Sequence, residues 1–464
     1  MAVLTKPVIS RAIIAVASAL LAACSPTAIT PQAENPEFPE AWVRGGASGG
    51  VTVNWLEYFA NPELNGLVSE AVDANYQLRQ ERARLLQAGQ SVVIARASRL
   101  PSLDLSVDGS RRGAEDASGV SLTTASYSAS VDARWNVDLW GELSKEQQAA
   151  QLSFEAQRAR VASAERDIAA ATVGSVFDVL ESKQLLEVAR RRLDNAVESH
   201  DIVASGYRQG LNDALDLYLA RNQVERQRAN YAQQEQAYTE SVADLQLTLA
   251  RYPDGSMEIG GELPVISDPI PVGLPSELLT RRTDLQEAWL NLLAADASLA
   301  AAHKARFPSL SIVGSTGTTT AEFADLLDTD ATFWNVAGGL VQPLFAGGRL
   351  KALEEQAAAR VQLVEQQYLQ LLYRAFADVE NAISRSVSLQ QRYESFLDAE
   401  TNSRAALSLA LEQYQRGLVS YTTVLESQRQ AFDAETTVVQ LRNQLLQNRI
   451  TLFLALGGSF SSGT

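Results

Sequence analysis

The chain is written twice, and that constrains its fold more than any other feature. Leu100-Pro101-Ser102-Leu103 recurs 207 residues on as Phe307-Pro308-Ser309-Leu310, and Tyr207-Arg208-Gln209-Gly210-Leu211 recurs at the same offset as Tyr414-Gln415-Arg416-Gly417-Leu418. Two separate motifs sharing one spacing point to duplication, in which each copy is one structural unit that is incomplete alone. Between the copies, residues 251–275 hold five of the 14 prolines, a composition through which no helix continues. The expected organisation is a leader over residues 1–23, a first copy over 24–250 with a β-hairpin at about 102–139, and a proline-rich linker over 251–275. A second copy follows over 276–458, with a hairpin at about 309–344, and then a tail over 459–464. Ser276 is expected to cap a helix that opens Glu277-Leu278-Leu279 and runs to about Lys304.

Strands come from strict alternation. Over residues 127–139, Tyr127, Ala129, Val131, Ala133, Trp135, Val137 and Leu139 fall on one parity, with Ser128, Ser130, Asp132, Arg134, Asn136 and Asp138 on the other. Such a strand has one apolar and one polar face, and it exceeds the roughly 9–11 residues that a tilted membrane strand needs. Leu103, Leu105 and Val107, alternating with Asp104, Ser106 and Asp108, form its expected hairpin partner. In the second copy, residues 310–315 alternate less regularly, and residues 334–344 form the expected return. A soluble sheet with one wet face alternates in the same way. Here the hairpins emerge from long helices with no other β material to pack on, which favours a membrane barrel. A bacterial barrel needs at least about eight strands. Four per chain cannot close one, so the chain should oligomerise.

The helices carry heptads. Val224, Tyr231, Tyr238 and Leu245 stand seven apart with Val242 and Leu249 between, and Ala431, Val438, Leu445 and Leu452 repeat the pattern in the second copy. Sustained heptads mean helices supercoiled against neighbours, and the alanine runs 149–150, 169–171 and 357–359 allow close approach. Helices over about 142–206 and 349–413 would each be ~95 Å long at 1.5 Å per residue. That is too long for a compact domain. A cylinder of helices and a structural coiled-coil rod both fit the heptads.

Composition excludes several functions. Cys24 is the single cysteine, so no internal disulfide forms, and with only His200 and His303 there is no Cys/His set to hold a metal. Both histidines read as helix-surface residues. The balance of 39 basic and 55 acidic residues gives −16, without the basic stripe that a nucleic-acid partner requires. Gly46-Ala47-Ser48-Gly49-Gly50 has the letters of a nucleophile elbow but lacks the preceding strand and following helix, so it reads as a loop. No catalytic residue and no cofactor is expected.

At the N-terminus, Lys6 and Arg11 precede a largely apolar run over residues 12–23, which has the length of a signal-peptide core and is too short to cross a bilayer. It ends Leu21-Ala22-Ala23-Cys24, which resembles the bacterial lipobox. By that resemblance Cys24 is lipidated and becomes the new N-terminus, and Ser25, being non-acidic, goes with export to the outer membrane. Cleavage there removes Lys6 and Arg11 as well. Nothing later shows 18 consecutive apolar residues, so any membrane span is made by strands.

Taken in order, the lipobox, Trp55-Leu56-Glu57-Tyr58-Phe59 with Pro62-Glu63-Leu64, and Gly273-Leu274-Pro275-Ser276-Glu277-Leu278-Leu279 with Arg281-Arg282 resemble the TolC-like outer-membrane factor family. So do the paired Pro-Ser-Leu strand starts, Leu344-Phe345 with Gly347-Gly348-Arg349, and both Tyr-x-x-Gly motifs. The likeness is to the lipidated multidrug-efflux branch, of NodT/OprM type, and covers nearly the whole chain after Cys24. It implies an α+β membrane protein, a homotrimer whose four strands per chain close a 12-stranded outer-membrane barrel continued by a coiled-coil α-helical barrel across the periplasm. The implied function is a passive exit duct for small molecules, opened at its periplasmic end by a periplasmic adaptor and an inner-membrane transporter. A type I protein-secretion duct shares these features, and a lipid-anchored coiled-coil scaffold keeps the heptads but leaves the alternating strands without a job. Thr283 stands where the family commonly has proline, a change of little cost at a helix start.

By this resemblance residues 207–217 and 414–426 are the two helix-turn-helix tips at the aperture. Gly210 and Gly417 suit the turns. Hydrogen bonds and ion pairs among Tyr207, Arg208, Asp213, Asp216, Tyr414, Arg416 and Glu426 are expected to hold the tips together, individually weak enough for a partner to break. The second tip reads Val419-Ser420-Tyr421-Thr422 where the family often has aspartate, so Asp213 and Asp216 would carry the acidic ring that selects against anions.

Overall fold

The hydrophobic periodicities of the two copies build the same series of elements in the same order. The computed structural model describes residues 39–43, 45, 55–59, 62–115, 119, 121–265, 271–326 and 332–458. The leader, Cys24, the Gly46–Gly50 loop and the tail over 459–464 lie outside the described residues. After a short 3-10 helix at Trp55–Phe59, the first copy runs α1 (Pro62–Ala74), α2 (Tyr76–Ala97), β1 (Ser102–Glu115), β2 (Ser121–Val137), α3 (Glu142–Arg208) and α4 (Ala214–Thr248). The second runs α5 (Leu278–Arg281), α6 (Thr283–Lys304), β3 (Ser309–Thr320), β4 (Thr332–Val341), α7 (Arg349–Gln415) and α8 (Tyr421–Ala455). α2 and α6 each have 22 residues, α3 and α7 each 67, and α4 and α8 each 35. At 1.5 Å per residue α3 and α7 are each ~100 Å long.

α3 is the axis of packing. It lies against α1, α2 and α6, and along its later part against α4 and α8, while α7 packs on α6 and α8. The heptad positions face these contacts: Val224, Val242, Leu245 and Leu249 are buried, as are Ala431, Val438 and Leu452, with Tyr231, Tyr238 and Leu445 half-buried. Ala169 and Ala170 are buried against neighbours, whereas Ala357 and Ala358 remain half-buried and Ala359 exposed in the single chain. An aromatic knot fixes the middle of the helices. Trp55 stacks on Phe453 with ring centres 5.9 Å apart, and Phe59 meets Phe177 edge-on at 5.0 Å. No helix among the described residues is long and apolar enough to cross a membrane.

The structure corrects the expected helix start at Ser276. Pro275–Glu277 is a 3-10 turn, α5 is a single turn, and Arg282 breaks the helix in an extended conformation (φ −80°, ψ 114°) before α6 begins at Thr283. Ion pairing explains the break. Arg282 turns inward to Asp284 (2.7 Å) and Asp378 of α7 (3.2 Å), while Arg166 of α3 donates to the carbonyls of Arg281 and Gly457 and to the Thr283 hydroxyl. Arg282 also sits in the conformation demanded of a residue before proline. A proline at position 283 would therefore fit.

The four strands form one antiparallel sheet in the order β1-β2-β3-β4, with the β2–β3 ladder joining the two hairpins. β1 runs to Glu115, well past the expected residues 103–108, because its ladder with β2 continues after its own alternation ends at Gly109. β4 ends at Val341 instead of residue 344, since Pro343 has no N–H for the ladder. Residues directly opposite in a ladder share a face. Leu105, Val131, Thr316 and Trp334 are thus in line on one face, and Asp104, Asp132, Ser315 and Asn335 on the other. The polar face is hydrogen-bonded: Ser106 Oγ meets Ser130 Oγ at 2.8 Å and donates to Asp132 at 3.0 Å. The apolar face is bare, with Leu105 75 % and Trp334 80 % exposed.

Candidate functional site at the helix tips

α3 and α7 end in the same hydrogen-bonded stop. Gly210 and Gly417 adopt the left-handed conformation (φ 76° and 72°), which lets Leu211 N–H donate to Gly206 O and Leu418 N–H to Gln413 O, both at 2.9 Å. The Gly210 and Gly417 N–H groups donate to the carbonyls of Tyr207 and Tyr414 at 3.0 and 2.9 Å. Helix resumes differently at the two tips. Asp213 caps α4 by accepting from Asp216 N–H (2.9 Å), whereas Ser420, before α8, makes no cap bond and instead meets the Thr422 and Thr423 hydroxyls. The tips pack on one another through Val203, Ala220, Ala410, Tyr421 and Val424, with Leu217 and Tyr414 at the edge. The Tyr414 and Tyr421 rings lie 5.6 Å apart.

Above the tips, α3 and α8 run antiparallel along a polar seam. Gln428 Nε2 donates to Asn195 Oδ1 (2.7 Å) and Ser199 Oγ (3.0 Å). Arg192 donates to the Thr436 hydroxyl (2.7 Å) and lies over the Phe432 ring, and Arg191 pairs with Glu435 at 2.5 Å. Higher still, Asn443 and Gln447 of α8 donate to Asp178 of α3 at 2.8 and 2.9 Å. Gln428 and Asn443 are buried polar residues, so the hydrogen bonds they make dictate how the two helices register. A cleft of about 470 Å³ opens beside the seam, lined among others by Arg192, Arg226, Glu426, Arg429 and Asp433.

Three comparisons place this geometry among known proteins. The family model described as "Outer membrane efflux protein" matches residues 67–251 and again 274–458. The chain belongs to the outer membrane efflux protein family. It is 30% identical over 413 residues to the probable outer membrane lipoprotein SilC of Salmonella typhimurium, covering 88% of each chain. It is 31% identical over 457 residues to the pyoverdine export outer membrane protein OpmQ of Pseudomonas aeruginosa, covering 96% of this chain and 95% of the relative. The solved open-state MtrE outer membrane channel of Neisseria gonorrhoeae matches with a TM-score of 0.83 at 26% identity, covering 94% of this chain and 99% of that one. This efflux protein is thus an outer-membrane channel with the TolC-like fold.

In this efflux protein the expected aperture residues separate into two groups. Asp213, Asp216 and Tyr414 come together where the tips meet. Burial, and then the Asp213 charge, raises the Asp216 carboxyl, while burial followed by the charge of Asp216 raises the Tyr414 hydroxyl. The remaining charges are spent locally. Arg416 pairs with Glu412 one turn back on α7, Arg208 donates to its own helix at Ala204 O, and Tyr207 is partly exposed. Hydrogen bonds from Arg429 and then Gln430 hold Glu426 down to about 2. Within one chain, apolar packing therefore joins the tips, and these ion pairs do not. Tyr421 stood in the sequence only as part of the Val419-Ser420-Tyr421-Thr422 turn and was given no role. It is almost fully buried between the tips, and burial, with Tyr414 and Asp216 nearby, pushes its hydroxyl up to about 12. The seam residues Asn195, Ser199, Gln428 and Asn443 were not singled out in the sequence either.

Proposed function

We propose that this efflux protein works as one of three identical subunits of a closed duct, in which 12 strands form an outer-membrane barrel and the helices continue it across the periplasm. The observation that carries this reading is the sheet: one bare apolar face, one hydrogen-bonded polar face, and free outer edges on β1 and β4 among the described residues. Joining β4 of one copy to β1 of the next removes the edges. The apolar parity from Tyr127 to Val137 spans ten steps of ~3.3 Å, and tilted by ~40° it gives a band ~25 Å tall, the height of a barrel's lipid belt. The repeated element lengths and the double family match support duplication, with copies over 24–250 and 276–458 about the 251–275 linker.

On this reading residues 1–23 are a signal peptide and Cys24 carries the lipid anchor. The tips form the periplasmic aperture, where Gly210 and Gly417 set the turns, Asp213 and Asp216 form the acidic ring, and Tyr414 with Tyr421 closes the contact. A periplasmic adaptor and an inner-membrane transporter open it. The name of the OpmQ relative supports small-molecule cargo over polypeptide. On this reading the protein supplies passage, in keeping with its membership of the outer membrane efflux protein family. Purified in detergent, it should have the mass of three chains and pass ion current in a planar bilayer. A water-soluble monomer without current refutes the proposal.

A further inference from the structure

At the upper end of the α3–α8 seam two carboxylates stand three residues apart on one face of α3. Asn443 of α8, 5 % exposed, donates its single amide group to both, to Asp178 Oδ1 at 2.8 Å and to Glu181 Oε2 at 2.5 Å. Gln447 gives Asp178 a second donor at 2.9 Å and also reaches Gly174 O. Among the described residues Glu181 has only the Asn443 bond. The other end of that amide, Asn443 Oδ1, is buried with no hydrogen-bond partner among the described residues. A buried amide oxygen without a donor costs ~1–3 kcal/mol. The site therefore holds one negative charge more than its donors satisfy, and it lacks one donor. A single proton on Glu181 removes one of the two charges that share the Asn443 amide and adds a donor to the site.

We propose that Glu181 is a proton-operated latch on this seam: neutral, it fastens α3 to α8, and ionised, it loosens them and eases the parting of the tips below. The inference rests on reading those tips as the aperture of a duct. Among the described residues no basic side chain pairs with Glu181. Lys183, two residues on, points to Ile259 O in the linker at 3.0 Å, and Arg442 of α8 turns to the Tyr393 hydroxyl of α7. On the α4 side the Ser241 hydroxyl meets Ser182, at 2.6 Å. Among the described residues Asp178 is the one charged group that acts on Glu181, from the same helix. Burial first, with Asp178 adding and the Asn443 bond opposing, pushes the Glu181 carboxyl up to about 7. An acid whose folded value lies above its free value of 4.5 binds its proton more tightly in the fastened seam. Fastening is thus favoured most below about 4.5, weakens as pH rises from there to about 7, and gains nothing further from the proton above that.

The test is ion current through the full-length protein in planar bilayers from pH 4 to 9. The wild type should pass more current as pH rises from about 4.5, in a step complete by about 7. Glu181→Gln keeps an oxygen acceptor for Asn443 but carries no charge, and it should lose the step and stay at the low-pH level. Asp178→Asn removes the neighbouring charge and should move the step to lower pH, a shift that a purely structural role would not produce. An unchanged step in Glu181→Gln overturns the latch while leaving the duct intact. No current from any form at any pH refutes the duct itself.

Discussion

Positions 250 and 457 end α4 and α8 in the same stop, yet one is alanine and the other glycine. Ala250 is the one described non-glycine residue with positive φ (58°), and its N–H and that of Arg251 close the turn onto Leu247 O and Gln246 O. Gly457 repeats this at φ 72° with bonds to Leu454 O and from Gly458 to Phe453 O. The surroundings differ. A Cβ on Gly457 would lie 2.7 Å from the Arg281 carbonyl carbon and 2.9 Å from its oxygen, backbone atoms that Arg166 pins in place. Gly457→Ala should therefore cost ~1 kcal/mol for the left-handed conformation and a further ~1–3 kcal/mol for overpacking. Ala250→Gly relieves the first term and gives back part of it in unfolded-chain entropy, for a net gain of roughly 0.5 kcal/mol. At about 2 °C per kcal/mol for a chain of this size, Gly457→Ala should unfold ~4–8 °C lower and Ala250→Gly ~1 °C higher. Thermal scans in detergent at one fixed rate, followed by intrinsic tryptophan fluorescence, measure both. Equal and small effects at the two positions would refute the close contact at Arg281.

Asp213→Ala with Asp216→Ala should alter ion selectivity in planar bilayers, because the acidic ring then disappears; unchanged current and selectivity would remove that role. Gln428→Leu leaves Asn195 and Ser199 without their partner in the seam and should cost ~1–3 kcal/mol, read as a lowered unfolding temperature together with raised current. Thr283→Pro should be tolerated within ~1 kcal/mol, since Arg282 is already extended and only the hydroxyl met by Arg166 is lost; a large destabilisation in the same scans would contradict it. Cys24→Ala should abolish the acyl mass seen by mass spectrometry of the intact protein.

Much of the fold was legible because it repeats. The Pro-Ser-Leu and Tyr-x-x-Gly pairs located both hairpins and both tips, and the long helices end within two residues of where glycine stops them. β2 was readable because apolar and polar side chains alternate without a break from Tyr127 to Val137. The far half of β1 was not, because Gly109-Ser110-Arg111-Arg112 pairs through backbone ladder bonds that leave no side-chain pattern. The break at Arg282 was hidden for another reason. It depends on Asp378, nearly a hundred residues away, and on the carbonyls at the end of α8. At the tips, composition showed charge and glycine but not direction. Arg416 and Glu426 have partners one turn away on their own helices, and such short-range pairs pre-empt contacts across the aperture. Tyr421 looked like a loop residue because nothing local reveals that Val203 and Val424 close over it.

The most direct test of the central claim is a nitroxide scan of β2 in reconstituted membranes, one cysteine at a time from position 127 to 137, in a background whose single natural cysteine is Cys24. Collision with oxygen, which concentrates in lipid, should peak at 129, 131 and 133. Collision with a water-soluble nickel chelate should peak at 128, 130 and 132. Water accessibility at every position, without period two, would contradict a sheet that faces lipid on one side and a pore on the other.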